Sequence, residues 1–227
     1  MSMPTQFFTR LFCTLAVTVV MAVPLQASAQ NLVANGSFES PNVNGNQLQV
    51  VPPGWSTIAP VGVDVIRAGY FGSIAADGLQ FADLIAGPGT FPAGIFQNLS
   101  LVAGVTYSVS FAYNGGLYDG GAATNGSVLN FSFGSLASQA INVDALNVYA
   151  QIGTATPWQS WTNQVTPAVS GVYRLEFRTN TGFFAGPYVD NVSVSVVPEP
   201  TSTLLLLLGV PLAVWSARLR TSSAGAA

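Results

Sequence analysis

This 227-residue chain has nine aspartate and glutamate residues, and their carboxylates are its most numerous conventional catalytic groups. Paired carboxylates can hydrolyse glycosidic bonds without histidine. The sequence has no histidine, which removes Ser-His and Cys-His nucleophile pairs and imidazole metal ligands, and it has no Gly-x-Ser-x-Gly motif. Sequence spacing gives no reason to pair any two acids, so we predict that the protein is not an enzyme. The acids open to such a role are Asp64, Asp77, Asp83, Asp119, Asp144 and Glu176.

Aromatic side chains beside turn residues are a second kind of candidate, because their rings can stack on pyranose faces. Trp55 follows a Pro-Pro-Gly turn, and residues 114–121 form a Gly-rich run. The alternative for Trp55 is core packing, since large aromatic side chains are mostly buried. The alternative for the Gly-rich run is a solvent loop, because glycines hold a preorganised site poorly. The candidate ligand-binding residues are Trp55, Tyr70, Tyr118 and Asp119.

Charged residues are scarce. They make up 7% of the chain, against roughly 25% in an ordinary soluble domain. All six cations are arginine, and the formal net charge is −3. Binding to nucleic acid phosphates needs a basic stripe, so the composition excludes that class of partner. Residues 30–197 must present mainly neutral hydrogen-bonding side chains to water, which suits a polysaccharide matrix.

The elements that position these candidates are predicted to be strands. Between residues 105 and 113 every second residue is Val, Tyr or Phe, and the same alternation returns at 129–133, 173–177 and 192–196. A two-residue period is that of a half-buried strand. Gly, Pro, Asn and Asp separate such segments by about 8 to 15 residues, which is typical of an antiparallel sandwich or barrel. The predicted fold class is all-β.

Four weak motifs follow one another in a fixed order through residues 30–197. They are NLVANGSFE at 31–39, PGW at 53–55, FQNLSL at 96–101 followed by GVTY at 104–107, and YVDNV at 188–192. The series resembles the galactose-binding-like jelly rolls, which include many bacterial carbohydrate-binding modules. The resemblance implies an antiparallel jelly-roll sandwich whose first and last strands are neighbours. Residues 36–39 are then expected to lie near Asp190.

The same resemblance implies a structural calcium ion, with Glu39 and Asp190 at the matching positions. Calcium takes six to eight oxygen ligands, which carboxylates and loop carbonyls supply. Asn191 stands where the family often has a second consecutive acid, so one carboxylate is missing. The alternative is that Glu39 and Asp190 accept backbone hydrogen bonds at strand ends. No other cofactor is predicted.

The first 29 residues are typical of a secretory signal peptide. Arg10 precedes an apolar stretch at 11–25, and Ala27 and Ala29 form a small-x-small cleavage signal. The apolar stretch is shorter than the roughly 20 residues that a membrane helix needs. Cleavage by signal peptidase after Ala29 removes Cys13, the only cysteine. The alternative is an uncleaved anchor.

The C-terminal tail carries three signals in order. Pro198, Glu199 and Pro200 are followed by an apolar stretch at 201–217, and Arg218 and Arg220 form a short basic end. The prolines predict an extended, accessible segment. The apolar stretch is at the lower limit for a transmembrane helix. Arginines stay on the cytoplasmic side, so the body is expected across the membrane from them.

This tail resembles the PEP-CTERM sorting signal of Gram-negative bacteria that make exopolysaccharide. The resemblance covers about a tenth of the chain and implies processing near Pro198-Glu199-Pro200 by an exosortase, a membrane-embedded cysteine protease or transpeptidase. It also implies transient anchoring in the inner membrane and delivery to the cell envelope or extracellular matrix.

The sequence therefore predicts an exported, non-catalytic surface or matrix protein with affinity for glycan. The predicted divisions are a signal peptide at 1–29, a β-sandwich at 30–197, a sorting tail at 198–220 and a cytoplasmic end at 221–227. Two alternatives stay open: a structural or adhesive domain with no ligand site, and a glycoside hydrolase.

Overall fold

The computed structural model describes residues 30–58, 60, 62–70, 73–85, 91–115, 127–143, 158–180 and 186–198. The described residues form eleven strands, and every pairing between them is antiparallel. The strands are β1 (Asn46–Val50), β2 (Ser56–Thr57), β3 (Val63–Arg67), β4 (Gln80–Asp83), β5 (Ala93–Leu101), β6 (Tyr107–Asn114), β7 (Val128–Phe133), β8 (Ala137–Asn142), β9 (Gln159–Val165), β10 (Gly171–Thr179) and β11 (Tyr188–Val196).

The strands form two sheets with the connectivity of a jelly roll. One sheet has the order β1-β3-β4-β11-β6-β9, and the other has the order β2-β5-β10-β7-β8. From β4 onward, the chain crosses so that β4-β11-β6-β9 lies in one sheet and β5-β10-β7-β8 in the other. This eight-strand order is two Greek keys, which is the definition of the fold. The predicted all-β jelly-roll sandwich is confirmed.

Side-chain alternation explains why these segments are strands and which face each residue occupies. In β6, Tyr107, Val109 and Phe111 are buried, and the serines between them are half-buried. Buried Leu129, Phe131 and Phe133 of β7 repeat the pattern, as do buried Leu175 and Phe177 of β10. Successive residues of a strand face opposite sides of the sheet, so the apolar set fills the space between the two sheets.

Aromatic rings dominate the core between the sheets. The ring centroid of Phe111 in β6 lies 4.9 Å from that of Phe131 in β7 and 4.9 Å from that of Phe177 in β10. Trp161 of β9 stacks on Phe111 at 5.2 Å. The contacts of Phe111 with Phe131 and Phe177 join strands of opposite sheets. Each buried aromatic side chain contributes roughly 1.5–3 kcal/mol through the apolar area it removes from water.

The N-terminal segment runs along β11, as expected. The Leu32 amide donates to the Val194 carbonyl at 2.8 Å, and the Val192 amide donates to the Gly36 carbonyl at 2.9 Å. The backbone of Gly36 lies so close to the Val192 carbonyl that a Cβ at this position would collide with it. The predicted proximity of residues 36–39 to the last strand is therefore confirmed, although the segment is a turn rather than a strand.

The two predicted membrane-targeting segments, at 1–29 and 201–217, lie outside the described residues. Within the described ranges, no helix is long and apolar enough to cross a membrane.

Candidate functional site

An open groove of about 480 Å³ crosses the outer face of the five-stranded sheet. We call it the polar groove. Strand alternation places it there, because Leu175 and Phe177 of β10 face the core and Glu176 and Arg178 therefore face outward. The groove is lined by Asn130, Phe131, Ser132, Ser138, Gln139, Ala140, Glu176 and Arg178.

Strand register arranges the groove side chains in two rows across β10, β7 and β8. Glu176 pairs with Ser132, which pairs with Ser138. Arg178 pairs with Asn130 in the neighbouring row. Residues directly opposite on antiparallel strands have their side chains on the same face, within about 4.5–5.5 Å between Cβ atoms. The groove floor therefore presents hydroxyl, amide, carboxylate and guanidinium groups at short intervals.

The charged side chains of β10 are unequally paired. Arg174 Nε lies 2.6 Å from Glu176 Oε2, and the Arg174 guanidinium carbon lies 3.5 Å from the centroid of the Phe96 ring. Arg178 Nε is 4.0 Å from Glu176 Oε1, which is beyond hydrogen-bond distance. Glu176 thus forms its close ion pair with Arg174 and not with Arg178.

Among the residues that line this groove, the sequence pointed only to Glu176, and only as a candidate catalytic acid. One sequence pattern could have indicated this charged face. Residues 174–178 alternate Arg, Glu and Arg with Leu and Phe on a predicted strand. That alternation predicts one charged face on β10. The contributions of β7 and β8 could not be predicted, because their register against β10 depends on tertiary packing.

Two of the four candidate ligand-binding residues, Trp55 and Tyr70, lie in the described part of the chain. Trp55 is 5% exposed and stacks on Phe38, with ring centroids 5.5 Å apart, and its indole Nε1 donates to the Asn35 carbonyl. It is a core residue and offers no ring face to a ligand. Tyr70 is 38% exposed and lies three residues after the end of β3. Tyr118 and Asp119 lie outside the described residues.

Asp190 is buried on β11, directly before a β-bulge. The register between β11 and β6 shifts between Asp190 and Ser193, and Asn191 has a φ of 49°. Asp190 Oδ2 accepts the amides of Ala76 and Asp77 at 2.8 and 2.9 Å, and Oδ1 accepts the amide of Asn191 at 2.7 Å. Burial raises the pKa of Asp190 to about 7, although these three amide donors act in the opposite direction.

Glu39 binds the same loop as Asp190. Glu39 Oε1 accepts the amides of Leu79 and Gln80 at 2.7 and 2.8 Å. Two hydrogen bonds occupy both lone pairs of an oxygen, so one oxygen of each carboxylate has no lone pair left for a cation. Within the described residues, no three His, Cys, Asp or Glu side chains group closely enough to hold a metal. The residues present fit calcium poorly, and the ion stays a prediction.

Asp64 and Asp83 form a cross-strand pair on the outer face of the six-stranded sheet. Both are buried, at 8% and 4% exposed. Asp64 Oδ1 accepts the Gln49 amide at 2.9 Å, and Asp83 Oδ1 accepts the amides of Ile85 and Gly186 at 3.0 and 3.2 Å. Burial raises the pKa of Asp64 to about 6 and the pKa of Asp83 well above its usual range, and the nearby Asp64 charge raises the pKa of Asp83 further.

Among the predicted processing residues, only Pro198 lies in the described part of the chain, directly after the last strand. Ala27, Ala29, Glu199, Pro200, Arg218 and Arg220 lie outside it.

Comparison with known proteins finds structural likenesses alone. No protein-family model and no curated protein matches the chain. A CBM4 module is 22% identical, covers 73% of this chain and 99% of its own length, and superposes with a TM-score of 0.44. TmCBM61, solved with β-1,4-galactotriose, is 16% identical, covers 74% and 100%, and has a TM-score of 0.49. The K2 cleaved adhesin domain of Lys-gingipain is 12% identical, covers 72% and 96%, and has a TM-score of 0.43.

We predict that the protein is more stable in mild acid than at neutral pH. A buried carboxyl with a raised pKa binds its proton more tightly in the folded state than in the unfolded state. Its contribution is complete below the unfolded pKa near 3.8 and is lost as pH rises through about 6 for Asp64 and about 7 for Asp190. A tenfold difference in proton affinity between the two states corresponds to about 1.4 kcal/mol. Urea denaturation from pH 4 to pH 8 should show the free energy of unfolding falling by several kcal/mol.

The substitution Asp64→Asn tests how much of this pH dependence comes from Asp64. The amide oxygen of asparagine can still accept the Gln49 amide, but the side chain no longer titrates. Between pH 4 and pH 6, we expect the free energy of unfolding to fall less in the variant than in the wild type, by at most about 3 kcal/mol. A wild-type stability that rises with pH over this window would contradict the prediction.

Removal of calcium tests the alternative roles of Glu39 and Asp190. A bound ion raises the melting temperature in a concentration-dependent way, because it binds the folded state alone. If the loop amides by themselves satisfy both carboxylates, the melting temperature is the same in excess calcium and in excess chelator. The occupied lone pairs of the two carboxylates favour an unchanged melting temperature. A drop of several degrees in chelator that calcium restores, and magnesium does not, would establish the ion.

Proposed function

We propose that the protein is a non-catalytic, glycan-binding surface or matrix module and that the polar groove is its binding site. The observation that carries the proposal is the pair of polar rows across β10, β7 and β8, which form the floor of an open groove of about 480 Å³. That volume lies within the range of small-molecule sites, roughly 300–1,000 Å³.

The groove has the hydrogen-bonding inventory that a hydroxyl-rich ligand needs. Asn130 carries a donor and an acceptor, and Ser132 and Ser138 carry hydroxyls that act as either. The strand backbones beneath are paired with one another, and Asn130 Nδ2 lies 3.5 Å from the Val128 carbonyl, a long contact that a ligand hydroxyl can replace. The strands lie about 4.8 Å apart, a spacing close to the length of one pyranose ring. A sheet also holds the side chains more rigidly than a loop does.

The described lining of the groove lacks the second carboxylate that glycoside hydrolysis requires. Both the retaining and the inverting mechanism use two carboxyl groups that flank the scissile bond. Among the described residues that line the groove, Glu176 is the one carboxylate. The acid pair Asp64 and Asp83 lies in the other sheet, buried, with backbone amides bound to its oxygens. These features support a binding protein rather than a hydrolase.

Export and sorting form the second half of the proposal. We propose that signal peptidase cleaves after Ala29, that the tail holds the protein transiently in the inner membrane, and that an exosortase processes it near Glu199 on the way to the envelope or matrix. The end of the sandwich supports this division. The Val197 amide still donates to the Thr106 carbonyl at 2.9 Å, and the last strand ends at Val196. The regular pairing of the sandwich therefore stops directly before the predicted junction at Pro198.

Replacement of Ser138 by alanine tests the groove. Ser138 is exposed and lies in the row of Glu176 and Ser132, so its loss should not unfold the protein, and the change removes a hydroxyl donor and acceptor from the proposed site. We expect the affinity for the best ligand of a glycan panel to fall about tenfold, the cost of one to two hydrogen bonds. The panel includes neutral and acidic polysaccharides and the producer's own exopolysaccharide, and titration calorimetry gives the affinities.

The matched control is Ser160→Ala. Ser160 is also an exposed strand residue, but it lies on β9 in the other sheet. The control should bind as the wild type does. If the wild type binds no member of the panel, the structural or adhesive alternative is correct. Equal losses in both variants would place the binding site elsewhere.

The substitution Glu199→Ala tests the sorting proposal. We expect the wild-type protein at its destination to have lost the residues after the Pro-Glu-Pro segment, and the variant to be retained in the membrane fraction with an intact C-terminus. Cell fractionation followed by intact-mass measurement distinguishes the two forms. Wild-type protein that reaches the cell surface with residues through Ala227 present would contradict processing.

A further inference from the structure

The polar groove contains a positive charge that the protein itself neutralises only in part. Arg178 lines the groove, and 41% of its side chain is exposed. Its buried Nε has no hydrogen-bond partner in the described structure. The carboxylate oxygen that faces it, Glu176 Oε1, is 4.0 Å away. The Nε of the guanidinium is thus buried and unpaired, while part of the side chain is exposed in the groove.

Glu176 is unable to neutralise both neighbouring arginines. Its other oxygen, Oε2, forms the 2.6 Å contact with Arg174 Nε. Arg174 is further fixed over the Phe96 ring, with 3.5 Å between the guanidinium carbon and the ring centroid. Two arginines and one glutamate leave a local excess of one positive charge, and the geometry assigns that excess to Arg178.

This excess contrasts with the whole chain, whose formal net charge is −3. Residues 30–198 contain three arginines, and two of them lie on the outer face of β10. The third, Arg67, lies in the other sheet and donates to the Asn42 side chain at 2.9 Å. Two of these three arginines, Arg174 and Arg178, are therefore concentrated at the polar groove.

We propose that the polar groove binds glycans that carry an oxyanion substituent, a uronate carboxylate or a sulfate ester, and that Arg178 contacts this group. The inference rests on the proposed glycan-binding function and narrows its ligand class. The planar guanidinium presents parallel N–H donors that match the two oxygens of such a group. Asn130 pairs with Arg178 across the strands and is placed to hydrogen-bond a hydroxyl of the same sugar.

The test compares three trisaccharides of matched length: galactotriose, trigalacturonate and a sulfated galactotriose. The full chain is purified in a detergent without a sugar headgroup, and titration calorimetry is run at low and high salt. We expect at least one charged ligand to bind about tenfold or more tightly than the neutral one, as one charge-assisted hydrogen-bond pair provides. The advantage should shrink at high salt because ions screen the exposed charges. The charged ligand that binds more tightly identifies the oxyanion.

Three variants complete the design. Arg178→Gln should abolish the preference for charged ligands, because it lowers their affinity about tenfold more than it lowers the affinity for galactotriose. Arg178→Lys keeps the charge without the planar fork, so its preference should be intermediate. Arg67→Gln removes an equal charge from the other sheet and should behave as the wild type. Melting temperatures confirm that each variant is folded, which the exposure of Arg178 leads us to expect.

The outcomes separate this inference from the proposed function. If the neutral and charged ligands bind equally and Arg178→Gln changes neither affinity, glycan binding stands and the role of Arg178 is overturned. If none of these ligands and no member of the wider panel binds, both proposals fall. Loss of charged-ligand preference in Arg67→Gln as well would show a general charge effect and would also overturn the inference.

Discussion

The packing of Phe177 against Phe111 and Phe131 is the interaction on which the rest of this structure depends. The three rings belong to β10, β6 and β7, with centroids 4.9 to 5.5 Å apart, and they join the two sheets. A shift of β10 by one residue would move every side chain to the opposite face and place Arg178 and Glu176 in the core. Burial of the rings therefore also determines where the charges of β10 are displayed.

Scarcity of cations shapes how the protein accommodates its buried acids. The three described carboxylates with raised pKa values, Asp64, Asp83 and Asp190, each accept at least one backbone amide. Amide donors satisfy a carboxylate without a second charge, so they avoid the cost of desolvating an arginine or lysine. Burial still outweighs the amides, and for this reason the three pKa values are raised rather than lowered. The arginines of β10 stay available at the surface.

The two outer faces consequently have different characters. On the six-stranded sheet, Phe81 and Tyr188 form a second buried cluster, with ring centroids 4.8 Å apart, and Trp158 packs against it. On the five-stranded sheet, the outer face of β10, β7 and β8 is open and polar. The outer face of the six-stranded sheet thus carries buried aromatic rings and the acid pair, whereas the outer face of β10, β7 and β8 presents polar side chains to solvent. Among the described candidate acids, Asp64 and Asp83 lie in the six-stranded sheet, and Glu176 alone lines the groove.

The alternation of apolar and polar residues was sufficient to predict the all-β fold class. A two-residue apolar period bounded by turn residues indicates a β-strand. It predicted the inward-facing sets of β6 and β10, and the resemblance to jelly rolls predicted that residues 36–39 lie beside the last strand. Neither could decide whether Trp55 faces a ligand or the core, since a turn before an aromatic residue is compatible with both. The structure places Trp55 on Phe38 in the core. Which strands lie side by side, and hence that Arg178 meets Asn130, is a property of long-range pairing that no local period encodes, and tertiary structure alone decided it.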